Sequence, residues 1–483
     1  MELELAGLRA TILGLAREGT ALARFLAQHG AKVSVSDLKG PEALADAVRS
    51  LSGLPVRFFL GAHPPEILDA DVLFVSPGVP IESPVVREAQ RRGVALSSET
   101  RLFTRLSSAP VIGITGSSGK TTTVTLVGRM LAASSCRTFV GGNIGQPLIG
   151  HVEEIRPDDR VVMELSSLQL EGLGPAAPPA LAYPPGGWSP HWAAVLNITP
   201  NPLDRHPSME AYIAAKSNVV RFQGPRDCAV LNADDEHAAA LQSLCAGRIL
   251  QFSLQGRVRE GAYLEGHTLV WAPAVGDAVS MCRVEELRLR GRHNVANMLA
   301  AFAIAGAAGA ARDAMVAVAR EFTGVEHRLE LVRTFGGVSY YNDSIATSPE
   351  RAMAAMRSFE EPLVLLAGGR DKHLPWQEWA HLAHERARAV ICFGEMAPLL
   401  VQALECEQAM EPSFTPVHHS RKRLRRRAPW PGRVTSCSSR RAARALMPMR
   451  ILAPGDRHFA RQFWTWAERG RCRCSRGCAS SAR

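Results

Sequence analysis

Within the run "VIGITGSSGKTTTVTL", Val111 to Leu126, the segment "GSSGKTTT" sets two glycines, a lysine and three threonines close together. Glycine has no Cβ, so the backbone N–H groups of Gly116, Ser117, Ser118 and Gly119 can come close to phosphate oxygens. The helix expected to follow would point its N-terminus at the same anion. Lys120 can reach the β and γ phosphates, and Thr121 or Thr122 can offer a hydroxyl to Mg²⁺. The strict phosphate-loop spacing misses by one place, because Ile114 stands where the first glycine belongs. ATP binding is the chemistry expected; a glycine-rich turn without a ligand is the plainer alternative. "GLAREG" offers a second phosphate turn through Gly14, Ala16 and Gly19, with Asp37 at the end of the next apolar run. It is similar to a dinucleotide fingerprint whose middle glycine has become alanine. It fits either a diphosphate on a helix N-terminus or an ordinary βαβ turn.

Other candidates are single residues. Glu164 ends "RVVME" and would be a Mg²⁺ ligand if that strand lies beside the phosphate loop, or else a solvated strand end. "HNVANMLAA" sets Asn294 and Asn297 one helical turn apart, a spacing that can read a purine edge or serve helix capping. "EHRLE" and "NDS" supply His327, Arg328 and Asp343, which are as compatible with surface as with site.

The elements that must position these residues alternate. "RATILGL", "AKVSVSD" and "DVLFVSPGVP" read as strands, with a helix over "EGTALARFLAQHG". A second segment starts near Pro110 with strand "VIGIT" and helix "TTTVTLVGRMLAA". It continues with strands "RVVMELSSLQLE" and "WAAVLNIT" and a helix from about Met298 to Ala311. A third follows Glu326: strands "VSYYNDS", "PLVLLAGG" and "RAVICFGE", with helix "SPERAMAAMRSF". This alternation predicts α/β layers on mostly parallel sheets. The expected divisions are 1–108, a Rossmann-like domain; 109–325, a phosphate-loop ATPase domain; 326–417, a C-terminal α/β domain; and 418–483, a basic tail. "GLGPAAPPALAYPPGGWSP" is too rich in Pro and Gly to be regular throughout.

Composition narrows the class. The 483 residues carry a formal charge of +10, but the basicity is local. From Val417 to Arg483 there are 17 Arg and one Lys against Asp456 and Glu468, while the remainder holds 38 basic and 44 acidic residues. The body is therefore that of a mildly acidic enzyme, and no nucleic-acid partner is expected. No stretch approaches the ~18 uninterrupted apolar residues of a membrane span, and the start does not read as a secretory signal. A cytoplasmic protein, acting as a monomer, is expected. Of ten cysteines, Cys437, Cys472, Cys474 and Cys478 lie in the tail and the rest are scattered, which suits neither a disulfide framework nor zinc.

Taken in order, "GITGSSGKTTT", "GGNIGQPLI", "MELSSLQLE", "LNITPNPLDRH", "AYIAAK", "GRHNVANMLAA", "EHRLE", "YYNDSIATSPE" and "LLAGGRDK" resemble the Mur ligases of peptidoglycan synthesis, most of all those that add D-glutamate. The resemblance runs from Leu8 to about Phe393. It implies an ATP- and Mg²⁺-dependent ligase that phosphorylates the alanyl carboxylate of UDP-N-acetylmuramoyl-L-alanine. The amine of D-glutamate would then attack the acyl phosphate to form an amide. By resemblance, Lys120, Glu164, Lys216 and Lys372 are the catalytic set. Thr121, Glu164 and a carbamylated Lys216 would support metal, and Lys372 would meet the D-glutamate carboxylate. The glycine loop from Gly116 to Thr122, with Asn294, Asn297, Arg328 and Asp343, corresponds to the ATP side. Gly14, Leu15, Ala16, Asp37 and the Ser76–Gly78 turn correspond to the uridine-nucleotide site, and Asn143, Ser166 and Gln169 to the muramoyl-alanine end.

The chain departs from that pattern in places. Pro202 stands at a metal-ligating histidine of the family's "TPNHLDRH", with His206 a turn further on. Ile345 replaces the lysine of "NDSKAT", and the Pro/Gly stretch is expanded. The tail lacks the family's closing strand and turn, so a C-terminal domain defective at its end is expected. Its Arg, Ser, Pro and Cys content is that of GC-rich DNA read out of frame. A frameshift near His418, an evolved basic tail and a nucleic-acid arm are the three readings. Two alternatives to the ligase stand beside it: another Mur or folylpolyglutamate-type ligase, or a ligase-dead nucleotide-binding protein.

Overall fold

The computed structural model describes residues 4–175, 183, 186–199, 206–325, 329–335, 337–344, 346, 348–369, 374–408, 417–418 and 444–449. Two compact units divide the chain, Met1–Phe322 and Thr323–Arg483.

The first unit contains two sheets. One is built from β1 (Arg9–Leu13), β2 (Lys32–Asp37), β3 (Val56–Leu60), β4 (Val72–Val75) and β5 (Ala95–Ser97), all parallel, in the order β3-β2-β1-β4-β5. The order reverses between β1 and β4, and such a reversal opens a crevice at the carboxyl ends of the strands. The helix Arg17–Gln28 buries Leu22, Ala23, Phe25 and Leu26 on one side of this sheet. The second sheet comprises β6 (Val111–Thr115), β7 (Thr138–Gly142), β8 (Arg160–Glu164), β9 (Trp192–Val195), β10 (Cys228–Asn232), β11 (Arg248–Ser253), β12 (Gly261–Glu265), β13 (Thr268–Ala272) and β14 (Val279–Arg283). Its order is β14-β13-β12-β11-β10-β9-β6-β8-β7. From β7 through β12 the neighbours are parallel, and β12, β13 and β14 pair antiparallel. The antiparallel end is not foreseen in the sequence; its turn signal is Gly266, at φ +57° between β12 and β13.

Two boundaries differ from expectation. "RVVMELSSLQLE" divides into β8 and a helix, Ser167–Gly172, because Ser166 and Gln169 form a reciprocal capping box that starts a helix. The long helix runs Arg292–Ala307, earlier than expected. It begins after Gly291 and is followed by left-handed Gly309. Residues Met298 to Ala305 are all buried, so this stretch of the helix is apolar on every side and lies within the core.

The short helix Glu99–Leu106 links the two sheets of this unit, and its first residues are buried. Ser98 caps it through Arg101 N–H at 3.1 Å. The Arg101 guanidinium donates to the carbonyls of Gly172 at 2.7 Å and Gly186 at 2.8 Å, and also to that of Gly174. One buried cation thus fastens both flanks of the Pro/Gly-rich stretch. Glu99 accepts the Ile149 N–H at 3.2 Å, and Thr100 receives a hydrogen bond from Gln169 at 3.2 Å.

The second unit holds β15 (Glu330–Phe335), β16 (Val338–Asn342), β17 (Leu363–Gly369), β18 (Ala387–Gly394), β19 (Val417–His418) and β20 (Arg444–Met449), in the order β15-β16-β20-β17-β18-β19. Only β15–β16 is antiparallel. Trp379, Phe359, Leu363, Val390 and Leu400 form the centre of its core. The tail was expected to supply no strand, yet β20 lies between β16 and β17. Pro448 falls where its register against β17 shifts, a place that tolerates a missing N–H.

Burial raises the Glu99 carboxyl to about 7, and the nearby Glu18 adds to the rise. The folded-state value lies above the unfolded one near 4.5, so the bound proton favours the fold. That contribution is complete below pH 4.5 and is lost as pH rises through about 7. Stability measured by urea unfolding should fall by on the order of 3 kcal/mol between pH 5 and 8.5. In Glu99→Gln most of that fall should vanish; an equal slope in both proteins would show that Glu99 does not carry it.

Candidate functional site

At the carboxyl end of β6 the chain enters the loop Gly116–Gly119 and then the helix Lys120–Ala133. The helix begins at left-handed Gly119, φ +82°, and no side chain caps it. Its first N–H groups are therefore available to an anion. A Cβ on Gly119 would lie 2.3 Å from Asn297 Oδ1, and one on Gly116 would lie 3.0 Å from Leu196 Cβ. The loop is thus pressed against neighbours that only glycine admits. Asn197, at the end of β9, receives the Ser118 N–H at 2.8 Å and donates to Ser118 O at 3.2 Å. The Ser117 hydroxyl lies 3.0 Å from Tyr212 Oη, and Lys120 Nζ donates to Gly116 O at 2.7 Å. Sequence reasoning gave no role to Asn197 or Tyr212; "LNIT" and "AYIAAK" contained them, but only the sheet order makes them neighbours of the loop.

Parallel pairing of β6 with β8 brings Glu164 to this loop. Thr121 Oγ1 donates to Glu164 Oε2 at 2.8 Å, and Asn143 Nδ2 donates to Oε1 at 3.0 Å. Gly142, at φ +89°, lies so close to β8 that a Cβ would meet Glu164 O at 2.4 Å. The helix Met209–Arg221 delivers Lys216, which is 1 % exposed. Its Nζ donates to Thr115 Oγ1 at 3.2 Å and lies 4.8 Å from the centre of the Tyr212 ring. Among the described residues no carboxylate pairs with it. Burial pushes its pKa well below 10.5, and the charge of Lys120 adds to the shift. The amine is held towards its neutral, nucleophilic form.

Asn294 and Asn297 are buried on one face of the helix Arg292–Ala307, with Asn297 Nδ2 donating to Asn294 Oδ1 at 3.1 Å and Asn294 Nδ2 to Arg290 O at 2.7 Å. Thr122 is buried in the first turn of the loop's own helix. Ser166 and Gln169 spend their polar atoms on the capping box and on Thr100. His206 is buried, with Nε2 2.9 Å from Ser167 Oγ. In the other unit, Asp343 Oδ1 accepts the Leu329 N–H at 3.1 Å. Pro202, His327, Arg328, Ile345 and Lys372 lie outside the described residues.

A second feature lies at the β1/β4 reversal of the first sheet. A cavity of about 1050 Å³ is lined there by Gly14, Ala16, Asp37, Ser76 and Gly78, along with Arg17, Leu38, His63 and others. Asp37 Oδ2 accepts the Leu15 N–H at 2.8 Å, so this carboxylate shapes the turn after β1. The helix that follows starts at Ala16 without a side-chain cap. Gly19 is required by contact, since a Cβ there would lie 2.0 Å from Gly14 O.

Family profiles match two stretches of the chain. Residues 8–98 match the Mur ligase MurD-like N-terminal domain, and residues 114–305 match the Mur ligase middle domain. The UDP-N-acetylmuramoylalanine--D-glutamate ligase of Symbiobacterium thermophilum is 41% identical over 399 residues, 82% of this chain and 85% of the relative. The chain belongs to the Mur ligase family. Ligases of the same name from a Roseiflexus species and from Pelotomaculum thermopropionicum are 40% and 39% identical, over 83% and 82% of the chain and 86% and 84% of the relatives. Among solved structures, the UDP-N-acetylmuramate-alanine ligase MurC of Thermotoga maritima superposes with a TM-score of 0.57 at 18% identity, covering 96% of this chain and 99% of that one. That likeness establishes the Mur ligase fold.

The Gly119–Asn297 contact gives a stability test. Gly119→Ala forces alanine into a left-handed conformation, which costs about 1–2 kcal/mol, and drives its Cβ into Asn297. In a background carrying Asn297→Ala, the extra clash should disappear and the cost of the same change should fall to the strain alone. Equal costs in both backgrounds, measured by urea unfolding, would place Asn297 away from the loop.

Proposed function

We propose that this Mur ligase joins D-glutamate to UDP-N-acetylmuramoyl-L-alanine at the expense of ATP, in cytoplasmic peptidoglycan precursor synthesis. The observation that carries the reading is the Thr121–Glu164 contact beside the uncapped helix at Gly119, in a chain about 40% identical to ligases of that name. The glycine loop would bind the polyphosphate through backbone N–H groups, with Lys120 turning from Gly116 O to the γ phosphate. A bond forms between an oxygen of the alanyl carboxylate and the γ phosphorus as the bond to the β-phosphate oxygen breaks, and ADP leaves. The D-glutamate nitrogen then attacks the acyl carbon, the carbon–phosphate oxygen bond breaks, and an amide, inorganic phosphate and a proton result.

Thr121 and Glu164 fit Mg²⁺, which is commonly held by one or two protein oxygens with water and phosphate completing its shell. When bound it would offset the charge of the transferring phosphoryl group. Lys216 suits the carbamate that the family resemblance implies. Burial and the charge of Lys120 disfavour the ammonium form, and the free amine would add to CO₂ with loss of a proton, placing an anion beside Lys120. Lys372 and Arg328 are assigned to D-glutamate and ATP by resemblance alone.

Phosphate release should require UDP-N-acetylmuramoyl-L-alanine, ATP, Mg²⁺ and D-glutamate together, and L-glutamate should not substitute. Lys120→Ala should lower kcat by about 10³-fold. Release that is stimulated equally by another amino acid would overturn the proposed substrate. The carbamate has its own test: activity should fall in CO₂-depleted buffer and return with bicarbonate. Lys216→Ala should be weak and unaffected by bicarbonate, and a wild-type enzyme indifferent to CO₂ would exclude the modification.

A further inference from the structure

Ser166, two residues after Glu164, caps the helix Ser167–Gly172, which has only six residues. So short a helix closes few hydrogen bonds of its own, and groups outside it must hold it in place. Near its start Ser166 and Gln169 form the capping box, and Gln169 Nε2 donates to Thr100 Oγ1 at 3.2 Å. Towards its end Asn218 Nδ2 donates to Leu170 O at 3.0 Å, from the helix that carries Lys216. Arg101, 4 % exposed, holds the last turn and the chain beyond it. Its Nε donates to Gly172 O at 2.7 Å and its Nη2 to Gly174 O, while Nη1 donates to Gly186 O at 2.8 Å. A guanidinium is planar and its donors have fixed directions, so the three carbonyls are held at set positions. A cation at this end also complements the helix dipole. Thr100 and Arg101 are neighbours on the helix Glu99–Leu106, so one element grips the short helix in its first turn and at its end.

We propose that Arg101 is a positioning residue for the muramoyl-alanine substrate: by fixing the end of this helix it sets where the turn from Ser166 to Gln169 meets that substrate. The inference rests on the ligase reading above and on the assignment of Ser166 and Gln169 to the muramoyl-alanine end. Arg101 acts through the helix alone. The ATP side is held by other contacts. Pairing of β8 with β6 and β7 fixes Glu164, and Asn197 and Asn297 brace the glycine loop. Loss of the guanidinium therefore displaces the muramoyl side and leaves the nucleotide side in place.

The test is steady-state phosphate release by the full-length protein, with UDP-N-acetylmuramoyl-L-alanine, ATP and D-glutamate varied in turn. Arg101→Met keeps much of the side chain's length and removes its donors. It should raise KM for UDP-N-acetylmuramoyl-L-alanine about tenfold and leave KM for ATP and for D-glutamate within about twofold. Arg101→Lys should raise the first KM only about threefold, because an ammonium keeps the charge but not the fixed fork. A merely structural role would lower the melting temperature and the amount of active enzyme without moving one KM apart from the others. Should the methionine variant fail to fold, as judged by its thermal melt, the lysine variant decides alone. Folded variants whose KM for UDP-N-acetylmuramoyl-L-alanine is unchanged, or whose three KM values rise together, overturn the role of Arg101 while leaving the ligase reading intact. A wild type that releases no phosphate with all three substrates and Mg²⁺ overturns the ligase reading, and the inference with it.

Discussion

Parallel pairing of β6 with β8 on one side and β9 on the other is the constraint on which the candidate site depends. All three strands end at the same edge of the sheet, so their last residues and the loops that follow must meet. The glycine loop leaves β6, Glu164 ends β8 and Asn197 follows β9. Glu164 reaches the loop's helix through Thr121, and Asn197 fixes Ser118 through its amide. The close approach requires glycine at two different crossings, Gly119 beneath Asn297 and Gly142 against the Glu164 carbonyl. A side chain at either would separate elements whose contact is the site.

Lys216 shows what this packing does to chemistry. An ammonium buried beside Lys120 and a tyrosine ring, with one hydroxyl acceptor and no described carboxylate, is costly in its charged form. The fold thereby holds an amine in the state in which it can react. The same reasoning applies to Glu99, where burial between two sheets raises a carboxyl and couples the seam to pH. In both cases the packed neighbours set the protonation behaviour of an ordinary side chain.

Much of the fold was legible. An apolar run such as "VIGIT", buried at every position, marks a parallel strand because both of its faces are covered, and "AKVSVSD" reads as a strand from its alternating valines. The glycine loop was legible because phosphate binding requires residues without a Cβ in one local turn. The helix after Ser166 was misread because apolar residues continue across the boundary, and the capping box, a local polar signal, overrides that continuity. The antiparallel hairpins β12–β14 escaped notice because their short strands alternate weakly. β20 escaped because its pairing depends on the sheet alone.

The sequence by itself determined the α/β class, the two phosphate-type turns and the residues able to hold an anion. Those properties reside in glycine backbones, strand periodicity and side-chain type within a few residues of one another. Tertiary structure decided that Thr121 meets Glu164, that Asn197 and Asn297 brace the loop, and that Lys216 is buried beside Lys120. These contacts join residues tens to hundreds of positions apart, and strand order and burial, which no local spacing encodes, bring them together.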